Sequence, residues 1–340
     1  MTQSEQKHIY PLTFIPVFRD YIWGGRHLGT LFGRELPPGI VAESWDISGH
    51  PSSPTKVASG HWEGRTLNEV LEELGTDLVG TRSSEMLTRG KFPLLVKLLD
   101  ANASLSVQVH PDDPYARAHE DGELGKSEMW YVLHAEPDAE LVYGLAVGVT
   151  PESFREAIEN STLEEQLHRV PIAAGDCVHI SPGTVHSLLA GAVVAEIQQN
   201  SDTTYRVYDW GRVGEDGEPR PLHVEKALDV IDWQCVEPKK VEPEPIAEEE
   251  GMEHSLLVRD PKFMVERLVL ESGAGFSGRC DGTTFEIWGC LEGAGHVGWA
   301  GQALPVEAVR FVLLPAALGE YVIRAEESGL FLRVYMGDNS

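Results

Sequence analysis

The chain has 340 residues, of which 42% are hydrophobic, and a formal net charge of −27. This apolar fraction is typical of a globular protein and excludes global disorder. The strong acidity argues against nucleic acid or an anionic membrane as partner. No stretch reaches the roughly 18–20 apolar residues of a transmembrane helix, and the first residues lack the apolar core of a signal peptide.

The cysteines show no CxxC spacing that would indicate a metal or redox site. We expect reduced thiols, and therefore a cytoplasmic protein, for all four of them: Cys177, Cys235, Cys280 and Cys290.

Short apolar runs separated by glycine and proline turns recur along the first 210 residues, and they predict a β-sandwich or barrel. Two segments, near 66–80 and 150–170, have helical spacing instead. The second begins with Thr150 as N-cap and Pro151 at the first helical position. We therefore predict one all-β dominated domain over residues 1–237, with these helical additions.

Residues 238–252 are rich in proline and glutamate and hold almost no core-forming side chains. This composition predicts an exposed acidic linker. Strand-like runs resume beyond it, so we predict a second, smaller β-barrel-like domain over residues 253–338.

The stretch LSVQVHPDD, at 105–113, alternates polar and apolar residues as a half-buried β-strand does. Ser106, Gln108 and His110 share one face of that strand. Taken alone, the pattern is compatible with a wet polar face or with two metal ligands.

A second strand-like run changes this balance. Glu128 alternates with Trp130 and Val132, and a carboxylate that faces a core is costly unless it is paired, protonated or bound to a metal. His186 follows the tight turn Pro-Gly-Thr. Together Gln108, His110, Glu128 and His186 offer two imidazoles, a carboxylate and an amide oxygen, which suits one Zn²⁺ or a similar divalent ion.

Further polar residues lie in the run AVVAEIQQNSDTTYRVYDW. Glu196 shares a face with apolar neighbours, and Arg206 lies among aromatic residues. The arginine is either half of a buried ion pair, with Asp202 or Asp209 as partner, or an anion-binding and catalytic cation.

Several separated motifs resemble type I phosphomannose isomerases of the short bacterial class. They are YIWGG, AESWDIS, FPLLVKLLDA, LSVQVHPDD, GELGKSEMWY, SPGTVH and QQNSDTTYRVYD. The resemblance implies a cupin (jelly-roll) barrel with helical additions, followed by a second cupin-like unit without a metal site. It also implies a zinc-dependent aldose–ketose isomerase that interconverts mannose 6-phosphate and fructose 6-phosphate through an enediol(ate).

The resemblance carries site roles onto individual residues. The zinc ligands would be Gln108, His110, Glu128 and His186. The catalytic groups would be Arg206, Lys126 and Asp202, and the substrate-binding groups would be Trp23, Lys97, Ser106 and Glu196.

The general base stays open between Lys126, Glu196 and Asp202. We expect Lys97, Lys126 and Arg206 to supply the local positive charge that a phosphate needs in so acidic a protein. The expected partner is a small sugar phosphate, and the expected assembly is a monomer or small homo-oligomer. Two rival functions are another metal-dependent cupin enzyme acting on sugar phosphates and a non-catalytic sugar-phosphate-binding regulator.

Overall fold

The computed structural model describes residues 9–213 and 217–337. Its helices are α1 (His27–Thr30), α2 (Leu67–Leu74), α3 (Thr76–Val79), α4 (Ser84–Thr88), α5 (Asp113–His119), α6 (Pro151–Glu159) and α7 (Val224–Val230). Short 3-10 turns lie at Thr81–Ser83 and Leu163–Gln166.

Strands make up most of the regular structure. Those before residue 240 are β1 (Phe14–Ile15), β2 (Val17–Arg19), β3 (Glu43–Ser48), β4 (Lys56–Val57), β5 (Leu94–Ala101), β6 (Val107–Val109), β7 (Glu128–Ala135), β8 (Glu140–Leu145), β9 (Leu167–Pro171), β10 (Cys177–Ile180), β11 (His186–Leu188), β12 (Ala192–Gln199) and β13 (Tyr205–Tyr208). Those after it are β14 (Glu244–Glu249), β15 (Met252–Asp260), β16 (Phe263–Leu270), β17 (Gly275–Cys280), β18 (Glu286–Glu292), β19 (Ala294–Trp299), β20 (Gln302–Glu307), β21 (Arg310–Leu314), β22 (Gly319–Ala325) and β23 (Gly329–Tyr335).

The chain forms two compact units. One consists of the described residues up to Val17, Trp45–Val96 and the chain from Glu242 onward; the other consists of Phe18–Ser44 and Lys97–Val241. We call the second the central unit and the first the terminal unit. The domain boundaries expected from composition stay a prediction.

Strand β14 lies inside the segment that we expected to be a linker. It is exposed and occupies the edge of a sheet, paired antiparallel with β15. Proline is tolerated there because an edge strand has one side without ladder partners, and the register shifts between Pro245 and Ala247. Composition indicated the exposure correctly but missed the strand.

Two sheets carry the central unit's strands, in the orders β10-β7-β12-β5-β3-β2 and β13-β6-β11-β8-β9. Trp130, Val132 and Leu188 belong to one buried cluster. Val107 and Val109 belong to another, which also contains Phe154 of α6. Strand alternation therefore directs Gln108 away from the helices, and it directs Glu128 and His186 to the face of the Trp130 cluster.

The first predicted helical segment is confirmed. A capping box between Thr66 and Glu69 begins α2, and Gly75, with φ of 54°, separates α2 from α3.

The second predicted helix begins as expected, with Thr150 accepting a hydrogen bond from Ser153 N, but it is shorter than predicted. Helix α6 ends at Glu159, and Ser161 has φ of 58°. Leu167–Pro171 is a strand paired with β8. Leu167 and Val170 are buried in that strand, so tertiary pairing overrides the helical spacing.

The terminal unit's larger sheets have the orders β14-β15-β16-β23-β18-β21 and β17-β22-β19-β20, around a core that contains Trp288, Val297 and Phe331. Strands dominate both units, as the predicted fold class requires. Among the described residues, no helix has the length and apolarity needed to cross a membrane.

Candidate active site

Three buried side chains of the central unit form a compact ligand cluster. Glu128 Oε1 lies 3.1 Å from His186 Nε2 and 3.7 Å from His110 Nε2. All three ligand atoms lie within 4.8 Å of one another. Two ligands at the usual bond lengths of tetrahedral zinc lie about 3.3 Å apart, so the spacing fits a small divalent ion.

Backbone carbonyls orient both imidazole rings. His110 Nδ1 lies 2.8 Å from Thr203 O, and His186 Nδ1 lies 2.9 Å from Thr184 O. A carbonyl oxygen only accepts, so each Nδ1 carries the proton and each Nε2 presents its lone pair to the cluster. This outer hydrogen bond is the usual support of a metal-binding histidine. Burial and the nearby charge of Lys126 hold the pKa of His110 at about 3, so the ring is neutral.

The environment of the Glu128 carboxylate also fits a metal site. Both oxygens are buried; Oε2 is ion-paired with Lys126 Nζ at 2.7 Å, whereas Oε1 faces the two Nε2 atoms and has no hydrogen bond to a described residue. Burial opposes ionisation, but the charge of Lys126 outweighs it and holds the pKa of Glu128 well below its ordinary value. A buried carboxylate with unused lone pairs is suited to bind a cation.

Gln108 completes the predicted ligand set. Strand pairing places it opposite both His186 of β11 and Arg206 of β13. Its amide nitrogen donates to His186 Nε2 at 3.3 Å. Turning the amide by 180° presents the oxygen to the same point, which is the atom that a metal requires.

A cavity of about 300 Å³ adjoins the cluster. Eight of the predicted site residues line it: Trp23, Lys97, Ser106, Gln108, Lys126, Glu196, Asp202 and Arg206. The structure therefore brings the predicted binding and catalytic residues together around one cavity.

The two lysines in this cavity are neutralised by carboxylates. Lys97 Nζ lies 3.3 Å from Glu196 and 3.7 Å from Glu43, and Lys126 Nζ lies between Glu128 and Glu196, 3.9 Å from the latter. Burial opposes the charge of Lys97, but Glu43 and Glu196 outweigh it and raise its pKa. The expectation that both lysines supply excess positive charge therefore does not fit the structure.

Sequence reasoning missed Glu43 as a cavity residue. It begins β3 and alternates with the buried Trp45. This is the same signal, a carboxylate in step with apolar neighbours, that identified Glu128.

Arg206 is not paired as the sequence suggested. Its Nη1 donates to the carbonyl of Pro221 at 3.0 Å, and its Nε is buried without a hydrogen bond to any described residue. Asp209 instead binds Arg220 and Arg212, and Asp202 is exposed at the cavity. Burial, and next the charge of Arg220, lower the pKa of Arg206.

Arg220 also lines the cavity and was missed. It follows no strand or helix pattern, since it lies in the irregular chain before α7. Among the described carboxylates, Asp209 alone faces Arg206, Arg212 and Arg220, so net positive charge remains around Arg206 and Arg220, which we call the arginine end of the cavity.

Comparison with known proteins places this site in a family. A sequence model described as phosphomannose isomerase type I, catalytic domain, matches residues 12–142. The probable mannose-6-phosphate isomerase GmuF of Bacillus subtilis is 38% identical over 92% of this chain and 96% of its own length. The chain belongs to the type I phosphomannose isomerase family.

Further relatives agree with this assignment. The mannose-6-phosphate isomerase ManA of Bacillus subtilis is 37% identical, over 92% of this chain and 95% of its own. The crystal structure of the mannose 6-phosphate isomerase from Bacillus subtilis aligns with a TM-score of 0.85 and 33% identity, over 95% of this chain and 99% of that one. The predicted family and fold class are confirmed.

Proposed function

We propose that this protein interconverts mannose 6-phosphate and fructose 6-phosphate with one bound Zn²⁺, in the cytoplasm. One observation carries the proposal: a buried His-Glu-His cluster adjoins a cavity that is lined by Lys97, Lys126, Arg206 and Arg220 together with carboxylates. The named functions of its relatives supply the sugar phosphate.

The metal would be held by His110, His186, Glu128 and the amide oxygen of Gln108. Two neutral imidazoles, a carboxylate and an amide oxygen form a donor set that suits zinc. When bound there, the ion would supply Lewis acidity that stabilises the negative charge developing on the sugar's oxygens.

The chain's own groups carry the proton transfers. In the aldose-to-ketose direction, the base takes the proton from C2 and returns it to C1, while the hydroxyl proton of O2 leaves and O1 gains one. We assign the base to Glu196, a buried cavity carboxylate whose Oε2 is ion-paired with Lys97 Nζ at 3.3 Å. The ammonium of Lys126 donates to a sugar oxygen, and Asp202 orients a hydroxyl at the cavity's exposed side.

The phosphate would lie at the arginine end. Arg206 and Arg220 both line the cavity, and the nearby lysines are already neutralised. Guanidinium groups bind phosphate oxygens through paired N–H donors. Trp23 and Ser106 would line the sugar between these ends.

A coupled assay of fructose 6-phosphate formation from mannose 6-phosphate, with and without chelator, tests the function. We expect turnover, its loss on chelation and its return with added Zn²⁺. Turnover that chelation leaves unchanged would disprove the metal role, and absence of turnover in zinc-loaded protein would disprove the isomerase function.

The same samples separate the rival functions. An iron oxygenase would contain iron and consume O₂. A binding protein without catalysis would bind the sugar phosphate with no turnover.

His110→Ala tests the ligand set. We expect its zinc content, measured by elemental analysis, to fall far below one per chain, because a set of four protein donors is reduced to three and loses one of its two imidazoles. Retention of stoichiometric zinc would point to other ligands.

A further inference from the structure

Asp209 lies directly after β13 and forms ion pairs with two arginines, Arg220 and Arg212. Its side chain is 7% exposed. Arg220 donates Nε to Oδ2 at 2.7 Å and Nη2 to Oδ1 at 2.6 Å, and Arg212 donates Nη2 to Oδ1 at 2.5 Å. A two-bond fork of this kind fixes both the position and the plane of a guanidinium.

The two arginines differ in whether an N–H donor remains without a hydrogen-bond partner. Arg212 also donates Nη1 to the carbonyl of Ser104 at 2.6 Å and Nε to the carbonyl of Asp209 at 3.2 Å, and it does not line the cavity. Arg220 does line the cavity, and its Nη1 has no hydrogen bond to any residue in 9–213 or 217–337.

The surroundings of Asp209 stay positive after pairing. One carboxylate faces the guanidinium groups of Arg206, Arg212 and Arg220, in a chain whose overall charge is −27. Such a local excess of partly exposed positive charge favours binding of an anion. A free arginine side chain has many rotamers, so an arginine fixed in advance binds that anion at a smaller entropic cost.

We infer that Asp209 is a positioning residue that holds Arg220 for the phosphate group of the substrate, without touching the substrate itself. The inference rests on the proposed function, since it names a determinant of phosphate binding at that same site. Arg212, whose other donors bind the backbone carbonyls of Ser104 and Asp209, takes no part in this phosphate contact.

Asp209→Asn distinguishes a positioning role from a purely electrostatic one, because the two roles predict opposite changes in affinity for the phosphate. Removing a negative charge beside an anion site strengthens anion binding if charge alone matters. Loss of the fork weakens binding if position matters. We expect the KM for mannose 6-phosphate to rise about tenfold, with kcat changed less than about twofold. An unchanged or lower KM would overturn the inference.

Arg220→Lys is a second variant that keeps the charge and loses the fork. Arg220 is 29% exposed, so the change is tolerated without a core rearrangement. The inference predicts a KM increase like that of Asp209→Asn, whereas a wild-type KM would overturn it.

A double-mutant cycle identifies the route of the effect. If Asp209 acts through Arg220, adding Asp209→Asn to Arg220→Ala raises KM no further. Fully additive effects would overturn the inference.

Arg212→Ala is the matched control, because it removes the other guanidinium from the same carboxylate and leaves the Arg220 fork. We expect a KM increase below about threefold.

Calorimetric titration with inorganic phosphate keeps this test independent of turnover. If the wild type binds phosphate about tenfold more tightly than Asp209→Asn but has no isomerase activity, the positioning role stands and the proposed function fails. Equal or tighter phosphate binding by Asp209→Asn overturns the positioning role whatever the activity, as does a wild type that binds no phosphate.

Discussion

At the scale of single residues, burial of Glu196 affects its pKa and therefore its proposed role as the base. Trp130 Nε1 donates to its Oε1 at 2.9 Å, and burial raises its pKa above the ordinary 4.5. A base must be deprotonated, so kcat should decline on the acid side at a higher pH than an exposed glutamate would give. We expect Glu196→Gln to lower kcat by about 10²–10⁴-fold and to remove that acid-side decline, as measured by pH–rate profiles.

The amide of Glu196→Gln still accepts from Trp130, so the fold should persist. Asp202→Asn is the control, since that side chain is exposed and is assigned to orientation; we expect its main effect on KM. Solvent deuterium incorporation at C2 during turnover provides a second readout. Wild-type incorporation by Glu196→Gln would assign the base elsewhere.

Strand alternation explains why the residues of the candidate metal cluster could be placed on one interior face from the sequence. Gln108, Glu128 and His186 lie on strands whose apolar neighbours fix which side faces the interior. Asp209 and Arg220 form their pair across an irregular segment with no period, so nothing in the sequence indicates that they meet.

At the scale of elements, the turn between β10 and β11 supports both imidazoles. Gly183 N donates to the carbonyl of His110 at 2.9 Å, and Thr184 supplies the carbonyl for His186 Nδ1. Gly183 has φ of 89°, and a Cβ there would lie 2.9 Å from Val230 O. We expect Gly183→Ala to shift the turn and weaken zinc binding about 10–100-fold, measured by competition with a chromogenic chelator.

Gly148→Ala provides the matched control for this turn. Gly148 has φ of 85°, but a Cβ there would meet no atom within 4 Å. It therefore imposes similar backbone strain, about 1 kcal/mol, far from any ligand. We expect lower stability with unchanged zinc affinity, and an equal loss of affinity in both variants would contradict the role of the turn.

Most elements were predicted from a cap signal or from alternation, whereas β9 and β14 were not. Helix α6 was recognised by its cap, whereas β9 was hidden because five residues fit a helical or an alternating pattern equally well. Strand β14 forms because it pairs with β15, and its own residues are mostly polar and exposed. A long-range pairing of this kind cannot be recognised from the local sequence.

At the scale of the whole molecule, the candidate site and one charged cluster of the terminal unit hold buried charge in different ways. At the candidate site, buried atoms of Glu128, Glu196 and Arg206 have no hydrogen bond to described residues. In the terminal unit, Arg333 donates to Glu286 through two bonds of 2.7 Å and to Glu266 at 3.1 Å. A fully hydrogen-bonded network of this kind rigidifies a core, whereas the buried polar atoms without a partner at the candidate site are available to bind a ligand.

Arg333→Met tests this division of roles. The change leaves Glu266 and Glu286 buried without their cation, so we expect a loss of about 3–5 kcal/mol of unfolding free energy in urea. Arg333 does not line the cavity, so folded protein should keep its kcat and KM. The control is Arg155→Met, which breaks an exposed pair with Glu225 and should leave the unfolding free energy unchanged within error.

The pH dependence of that loss distinguishes lost charge pairing from lost packing. Burial opposes ionisation of Glu266, but hydrogen bonding from Tyr335 and the charge of Arg333 outweigh it and lower its pKa below the ordinary 4.5. Its stabilisation is therefore present above pH 4.5 and is lost as the pH falls through the lowered value. In Arg333→Met, protonation instead relieves an unpaired charge. The stability difference between wild type and variant should therefore shrink as the pH falls below 4.5, whereas a difference that stays constant would assign it to packing around the Arg333 stem.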